Sequence, residues 1–241
     1  MGPVNETRTA LVTGANKGIG LAIARGLGAI GFTVAVGARD HDRREAAVEQ
    51  LRDAGVDAFG VSLDVTFDGS VAAAAAEIDK AAGRLDVLVN NAGIAGRTDG
   101  AAQDPTSLDL DVVRQVLDTN VFGVVRVTNA MLPLLYRAPS PRIVNVSSNM
   151  GSLTLQTGPI MAAYAPSKSM LNSITAQYAR RLTETNVIVN ACCPGYVATD
   201  FTGFNSPRTP EQGAAIAIRL ATVADDGPRG GFFDDSGAVP W

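Results

Sequence analysis

Histidine is nearly missing: His41 is the only one in 241 residues. A Ser-His-Asp hydrolase would have to take its base from that one position, and a His-rich metal site is impossible. Cysteine is almost as scarce. Cys192 and Cys193 are the only two and are adjacent, so there is no disulfide framework and a reducing, cytoplasmic location is the default expectation. Two neighbouring thiols and one imidazole are poor zinc geometry, and no metal is expected. No run of about 20 apolar residues occurs, and Met1 to Arg8 has no apolar signal core, so neither a membrane span nor a secretory leader is expected. A net charge of −4 without any basic run argues against a nucleic-acid partner. Lysine is limited to Lys17, Lys80 and Lys168, and two of these fall inside the motifs below.

What is present is an alternation. Hydrophobic residues make up 46% and charged residues 18%, a globular balance with ample material for a core. Short Val- and Ile-rich runs (9–13, 32–38, 57–63, 86–90, 142–146, 186–192 and around 231–233) are separated by helical stretches near 18–29, 43–54, 69–81, 110–132, 161–184 and 211–221. The runs do not alternate polar and apolar residues, as expected for strands buried on both faces. Strand-helix alternation predicts a doubly wound parallel sheet of about seven strands with helices on both faces. No linker or repeat interrupts residues 1–241, so a single domain is the expectation.

The first strand runs into Thr13-Gly-Ala-Asn-Lys-Gly-Ile-Gly20 and then a helix. Gly14, Gly18 and Gly20 permit a tight turn and close approach of backbone to a pyrophosphate at the helix N-terminus. The loop residues Gly14, Asn16, Lys17, Gly18, Ile19 and Gly20 are therefore candidate dinucleotide contacts. At the end of the second strand an acid would select NAD, by bonding the ribose 2′-hydroxyl. The strand ends Gly37-Ala38-Arg39-Asp40 instead. Arg39, with Lys17 from the glycine loop, favours the 2′-phosphate of NADP(H). Asp40 is the counterargument, since it could occupy Arg39 in a local pair. His41 could cap the following helix or lie near the ribose.

Tyr164 and Lys168 are four residues apart at the start of a long helix, so both leave one face. A nearby ammonium favours a phenolate, which makes a Tyr that titrates at about 10 a usable proton donor and acceptor near neutrality.

With these features in place, the chain resembles the short-chain dehydrogenases/reductases over nearly its whole length. The resemblance rests on Thr13 to Gly20, Asp64-Val65, Asn90-Asn-Ala-Gly93, Asn120, Ser147-Ser148, Tyr164-x-x-x-Lys168 and Pro194-Gly-Tyr-Val-Ala-Thr199, in family order. It implies a Rossmann-type fold and NADP(H) as cofactor. Asp64 would hold the adenine amino group with Val65 beside it, Asn91 and Gly93 would line the adenosine, and Val197 and Thr199 would meet the nicotinamide carboxamide. Ser148, Tyr164 and Lys168 would carry catalysis, with Lys168 also on the nicotinamide ribose. Asn120 would perturb its helix and hold a water leading from Lys168 to solvent. Register favours Ser148 over Ser147, because Ser148-Asn-Met-Gly151 matches the family serine followed by two residues and a small one.

The resemblance implies reduction of a ketone or aldehyde, closest to the carbonyl reductase branch, with a substrate lid at about 200–212. The segment between Ser148 and Tyr164 lacks the long insertion that keeps some carbonyl reductases monomeric, so a homodimer or homotetramer paired through the two long helices is expected. A 3-oxoacyl-thioester reductase of fatty-acid or polyketide assembly is the alternative enzyme. A non-catalytic NADP sensor is the alternative outside enzymes.

Overall fold

The apolar runs pair as one sheet in a computed structural model that describes residues 8–241; the reading of residues 1–7 lies outside the described residues. The strands are β1 (Arg8–Thr13), β2 (Phe32–Ala38), β3 (Ala58–Ser62), β4 (Val87–Asn90), β5 (Arg142–Val146), β6 (Ile188–Cys192), β7 (Phe232–Asp234) and β8 (Gly237–Ala238). Their order is β3-β2-β1-β4-β5-β6-β7-β8. All pairs are parallel except β7 with β8, where Phe233 faces Ala238 across a short return. That return is the strand beyond the seven expected. It is two residues long and carries no apolar run to announce it.

The helices are α1 (Gly18–Ala29), α2 (His41–Asp53), α3 (Asp68–Ala82), α4 (Leu110–Leu117), α5 (Gly123–Leu135), α6 (Tyr164–Arg181) and α7 (Pro210–Ala221). Two apolar layers explain why the strands read as unbroken runs. Ala10, Val12, Val34, Val36, Val89 and Val144 pack under α1, α2 and α7. Leu11, Ala35, Leu88, Ile143 and Val189 pack against α3 and α5 on the opposite face. Alternate residues of each strand thus enter different layers, and both layers are apolar. Among the described residues no helix is long and apolar enough to cross a membrane.

Three boundaries differ from the sequence expectation for local reasons. The helix expected over 110–132 is split by a π-helical turn, Asp118–Phe122, and continues to Leu135. The helix expected from Met161 begins at Tyr164, with Pro166 in its first turn, where a missing N–H costs nothing. The cap of α2 is Asp40, whose carboxylate accepts from Arg43 N at 2.9 Å; His41 is the first helical residue and its Nδ1 lies 3.1 Å from Asp42.

Candidate active site

The strand order reverses between β1 and β4, and in doubly wound sheets the C-terminal ends of the strands at such a switch point are where ligands bind. Gly14 and Gly18, which follow β1, have φ of +64° and +55°, which a side chain would strain. A Cβ at Gly20 would sit 2.4 Å from Gly14 O, so the α1 N-terminus closes tightly on the turn. No acidic residue occupies the first turn of α1, and among the described residues no side chain caps it. Its N–H groups and positive dipole end suit an anion.

Asn91 serves this loop as a strut. Its Nδ2 donates to Thr13 O at 2.9 Å and Gly14 O at 3.3 Å, while Thr13 Oγ1 accepts the N–H groups of Asn91 and Ala92, both at 3.0 Å. Asp64 Oδ1 accepts from Thr66 N at 2.9 Å and Thr66 Oγ1 at 2.7 Å. The Thr66 hydroxyl bond first, and nearby Arg39 last, hold its carboxyl below the usual carboxylate range. Val65 packs beneath Gly123 at the start of α5.

The cationic pair expected for a 2′-phosphate is only half available. Asp40 is engaged at the α2 cap and does not hold Arg39, which is exposed and makes no ion pair among the described residues. Lys17, in contrast, is paired with Asp200. Nothing in the local pattern signals that tie, because the partners are 183 positions apart.

The catalytic candidates meet where β5 ends. Ser147 turns inward and donates to Asn172 Oδ1 at 2.6 Å. Ser148 does not share that partner: its Oγ caps a short turn by accepting from Met150 N at 3.2 Å, and its hydroxyl is the neighbour that favours ionisation of the Tyr164 phenol. Gly151, at the end of that turn, lies flush on α6, where an added Cβ would be 2.6 Å from the Lys168 carbonyl carbon.

Lys168 is buried, and its Nζ donates to Val146 O at 2.8 Å while standing 5.5 Å from the Tyr164 ring centre. Burial pulls its pKa down to about 8. The same burial pushes the Tyr164 phenol well above its ordinary value, and Ser148 is the neighbour that opposes this by favouring the phenolate. The simple expectation that Lys168 eases ionisation of Tyr164 is therefore not met by this arrangement. Desolvation is the leading cause, and the Lys168 head is turned to a backbone carbonyl.

Asn120 is wholly buried in the π turn. Its Oδ1 accepts from Ile94 N at 2.8 Å and its Nδ2 donates to Ile94 O at 3.0 Å and Ser167 Oγ at 3.0 Å. An inward amide paired to a loop backbone in this way accounts for the widened turn. Gly93 occupies the space between, since a Cβ there would be 3.2 Å from Asn120 Oδ1 and 3.8 Å from Lys168 Nζ. Val197 is buried, and Thr199 brings its methyl within 3.2 Å of the position a Gly18 Cβ would take. Phe201, in the short turn Asp200–Thr202, tilts over Tyr164 with ring centres 5.2 Å apart.

Sequence reasoning gave Ser167, Asp200 and Phe201 no individual role, although Ser167 lies inside Tyr164-x-x-x-Lys168 and the other two at the start of the segment 200–212. Each acts through a partner brought in by the fold.

Fold and site together define a dinucleotide-dependent oxidoreductase of the doubly wound class. The family model described as short chain dehydrogenase matches residues 8–209. The chain belongs to the short-chain dehydrogenase family. It is 34% identical to "Carbonyl reductase [NADPH] 1" of Sus scrofa, with 98% of this chain and 95% of that protein covered. That alignment extends over 282 positions, so the relative carries insertions that the 241 residues here lack. The NADPH-bound carbonyl reductase from chicken fatty liver superposes with a TM-score of 0.86 at 28% identity, covering 98% of this chain and 100% of that one. Actinorhodin polyketide ketoreductase with NADPH gives 0.84 at 31% identity, covering 96% of each.

Proposed function

We propose that this chain reduces a ketone or aldehyde to an alcohol with NADPH, Tyr164 acting as the acid. The observation that carries the reading is the buried Lys168, whose Nζ donates to Val146 O at 2.8 Å and stands 5.5 Å from the Tyr164 ring centre, with Ser148 as the neighbour that favours the Tyr164 phenolate. NADP(H) is supported by the free, exposed Arg39, by the uncapped α1 N-terminus, and by the NADPH complexes of similar enzymes. Bound NADPH supplies the hydride. Ser148 and Tyr164 hydrogen-bond the carbonyl oxygen, and as charge grows there Tyr164 gives up its proton. A phenol with a raised pKa stays protonated across the neutral range, so the acid is loaded at rest. Lys168, with a pKa of about 8, can hold or release a proton near the working pH and recharges the phenol. Asn120, fixed by its three bonds to Ile94 and Ser167, orients the route from Lys168 to solvent.

We further assign residues 8–241 to one domain with a lid at 200–212. The chain works in the cytoplasm, where Cys192 and Cys193 stay free thiols, and pairs as a homodimer or homotetramer through its long helices. The similarity to a polyketide ketoreductase favours, as a second reading, a 3-oxoacyl-thioester substrate. Free and carrier-bound 3-oxoacyl substrates, followed by NADPH absorbance, separate the two readings. The site itself is tested with Tyr164→Phe. Turnover should fall about 10²- to 10⁴-fold while NADPH affinity is retained, and a variant that keeps its turnover refutes the acid.

A further inference from the structure

The mouth of the site is a place where β5 and β6 part, and the last tie across the gap is made by a sulfur. Ser147 N donates to Cys192 O at 2.7 Å, one step past the end of β5. Two residues on and on the same side, Asn149 N donates to Cys193 Sγ at 3.2 Å. The Pro194 carbonyl, next along the departing chain, is taken by Arg208 Nε at 2.8 Å. Gly195 N also donates to the sulfur, at 3.4 Å. Cys193 is 4% exposed, and its own N–H is bonded to Phe233 O at 2.8 Å, so the acceptor sits on a fixed base. One side chain thereby gathers the loop that begins with Ser148 and the loop that carries Val197 and Thr199.

We infer that Cys193 is a positioning residue: its sulfur, by accepting the Asn149 N–H, holds Ser148 level with the Tyr164 phenol where the strands separate. The inference rests on the reading of Ser148 and Tyr164 as the pair that binds the carbonyl oxygen. A thiol is a weak acceptor, but this N–H is part-buried and the sulfur is the acceptor the fold sets before it. Burial pushes the Cys193 thiol up, so it remains neutral and its lone pairs stay available at working pH.

The test compares Cys193→Ala, which deletes the acceptor, with Cys193→Ser, which keeps one; Cys193→Val fills the volume without an acceptor should the Ala variant not fold. With NADPH and para-nitrobenzaldehyde, kcat should fall about three- to tenfold in the variant without an acceptor. KM for NADPH should move by a smaller factor than kcat, since the α1 and Arg39 contacts are untouched and the tie to the Val197 loop, at 3.4 Å, is the longer of the two made by the sulfur. The Ser variant should recover most of kcat. Wild-type kcat in the Ala or Val variant, or equal losses in Ser and Ala, overturns the role of the sulfur. Tyr164→Phe run alongside separates the two ideas. If that variant is inactive and the Cys193 variants are normal, only the sulfur's role fails; if it is active, the reading of the site fails.

Discussion

Gly151→Ala is a one-methyl perturbation whose cost follows from the packing of the Ser148 turn on α6. The new Cβ would lie 2.6 Å from the Lys168 carbonyl carbon, 2.8 Å from Lys168 Cβ and 2.9 Å from Lys168 O. Carbon atoms pack at about 3.5 Å or more, so turn and helix must separate by on the order of 1 Å. The helix backbone cannot yield as a flexible side-chain end would, and Lys168 is tied to Val146 O. Gly151 has no positive φ, so the clash alone is responsible. Overpacking of this kind costs about 1 to 3 kcal/mol, which lowers Tm by roughly 2 to 10 °C in a chain of this size. Function should suffer more than stability. The same displacement carries Ser148 away from Tyr164, and a misplacement near 1 Å costs up to about a hundredfold in rate. Steady-state kinetics with NADPH and an aldehyde, beside a thermal melt, measure both quantities. A variant with wild-type kcat and Tm would refute the claim that this contact sets the Ser148 position.

Two further outcomes are expected. Arg39→Asp should weaken NADPH and raise the relative use of NADH by about tenfold or more, because a charge-assisted phosphate contact is replaced by repulsion; an unchanged cofactor ratio in paired kinetics removes Arg39 from the phosphate site. Lys168→Met should abolish efficient turnover yet stabilise the fold below pH 8. The buried lysine has a folded pKa of about 8 against about 10.5 unfolded, so wild type carries a desolvation penalty of up to about 3 kcal/mol below pH 8. That penalty is relieved as pH rises from 8 to about 10.5, where the folded form has shed a proton that the unfolded form still binds. The gain in Tm should therefore be large at pH 7 and shrink towards pH 10; a gain independent of pH contradicts the assignment.

Much of this architecture is legible in the linear chain because the signals are local. Strands buried on both faces need only a run of Val, Ile and Ala, as in Phe32–Ala38, and helices need only a period and an end signal, as at Thr209-Pro210. Tyr164 and Lys168 share a face because four residues make about one turn. The ordered motifs from Thr13 to Thr199 place the cofactor crevice and reaction class for the same reason. Each is a short stretch whose backbone geometry the fold repeats.

What the tertiary structure decided depends on partners far away and on burial. Both serines at the end of β5 look alike in sequence, yet Ser147 is spent on Asn172 of α6, while Ser148 caps the next turn and favours the Tyr164 phenolate. Asp40 could have neutralised Arg39, but the α2 cap claims it. Lys17 finds Asp200 across most of the chain, and Asn120 opens its helix because Ile94 and Ser167 arrive beside it. The direction of the Tyr164 pKa is the clearest case. Spacing alone predicts a phenol eased by its lysine, but the interior desolvates both groups and turns the ammonium towards Val146. Spacing along a helix sets which side chains can meet; the dielectric and the competing acceptors around them set what charge they carry when they do.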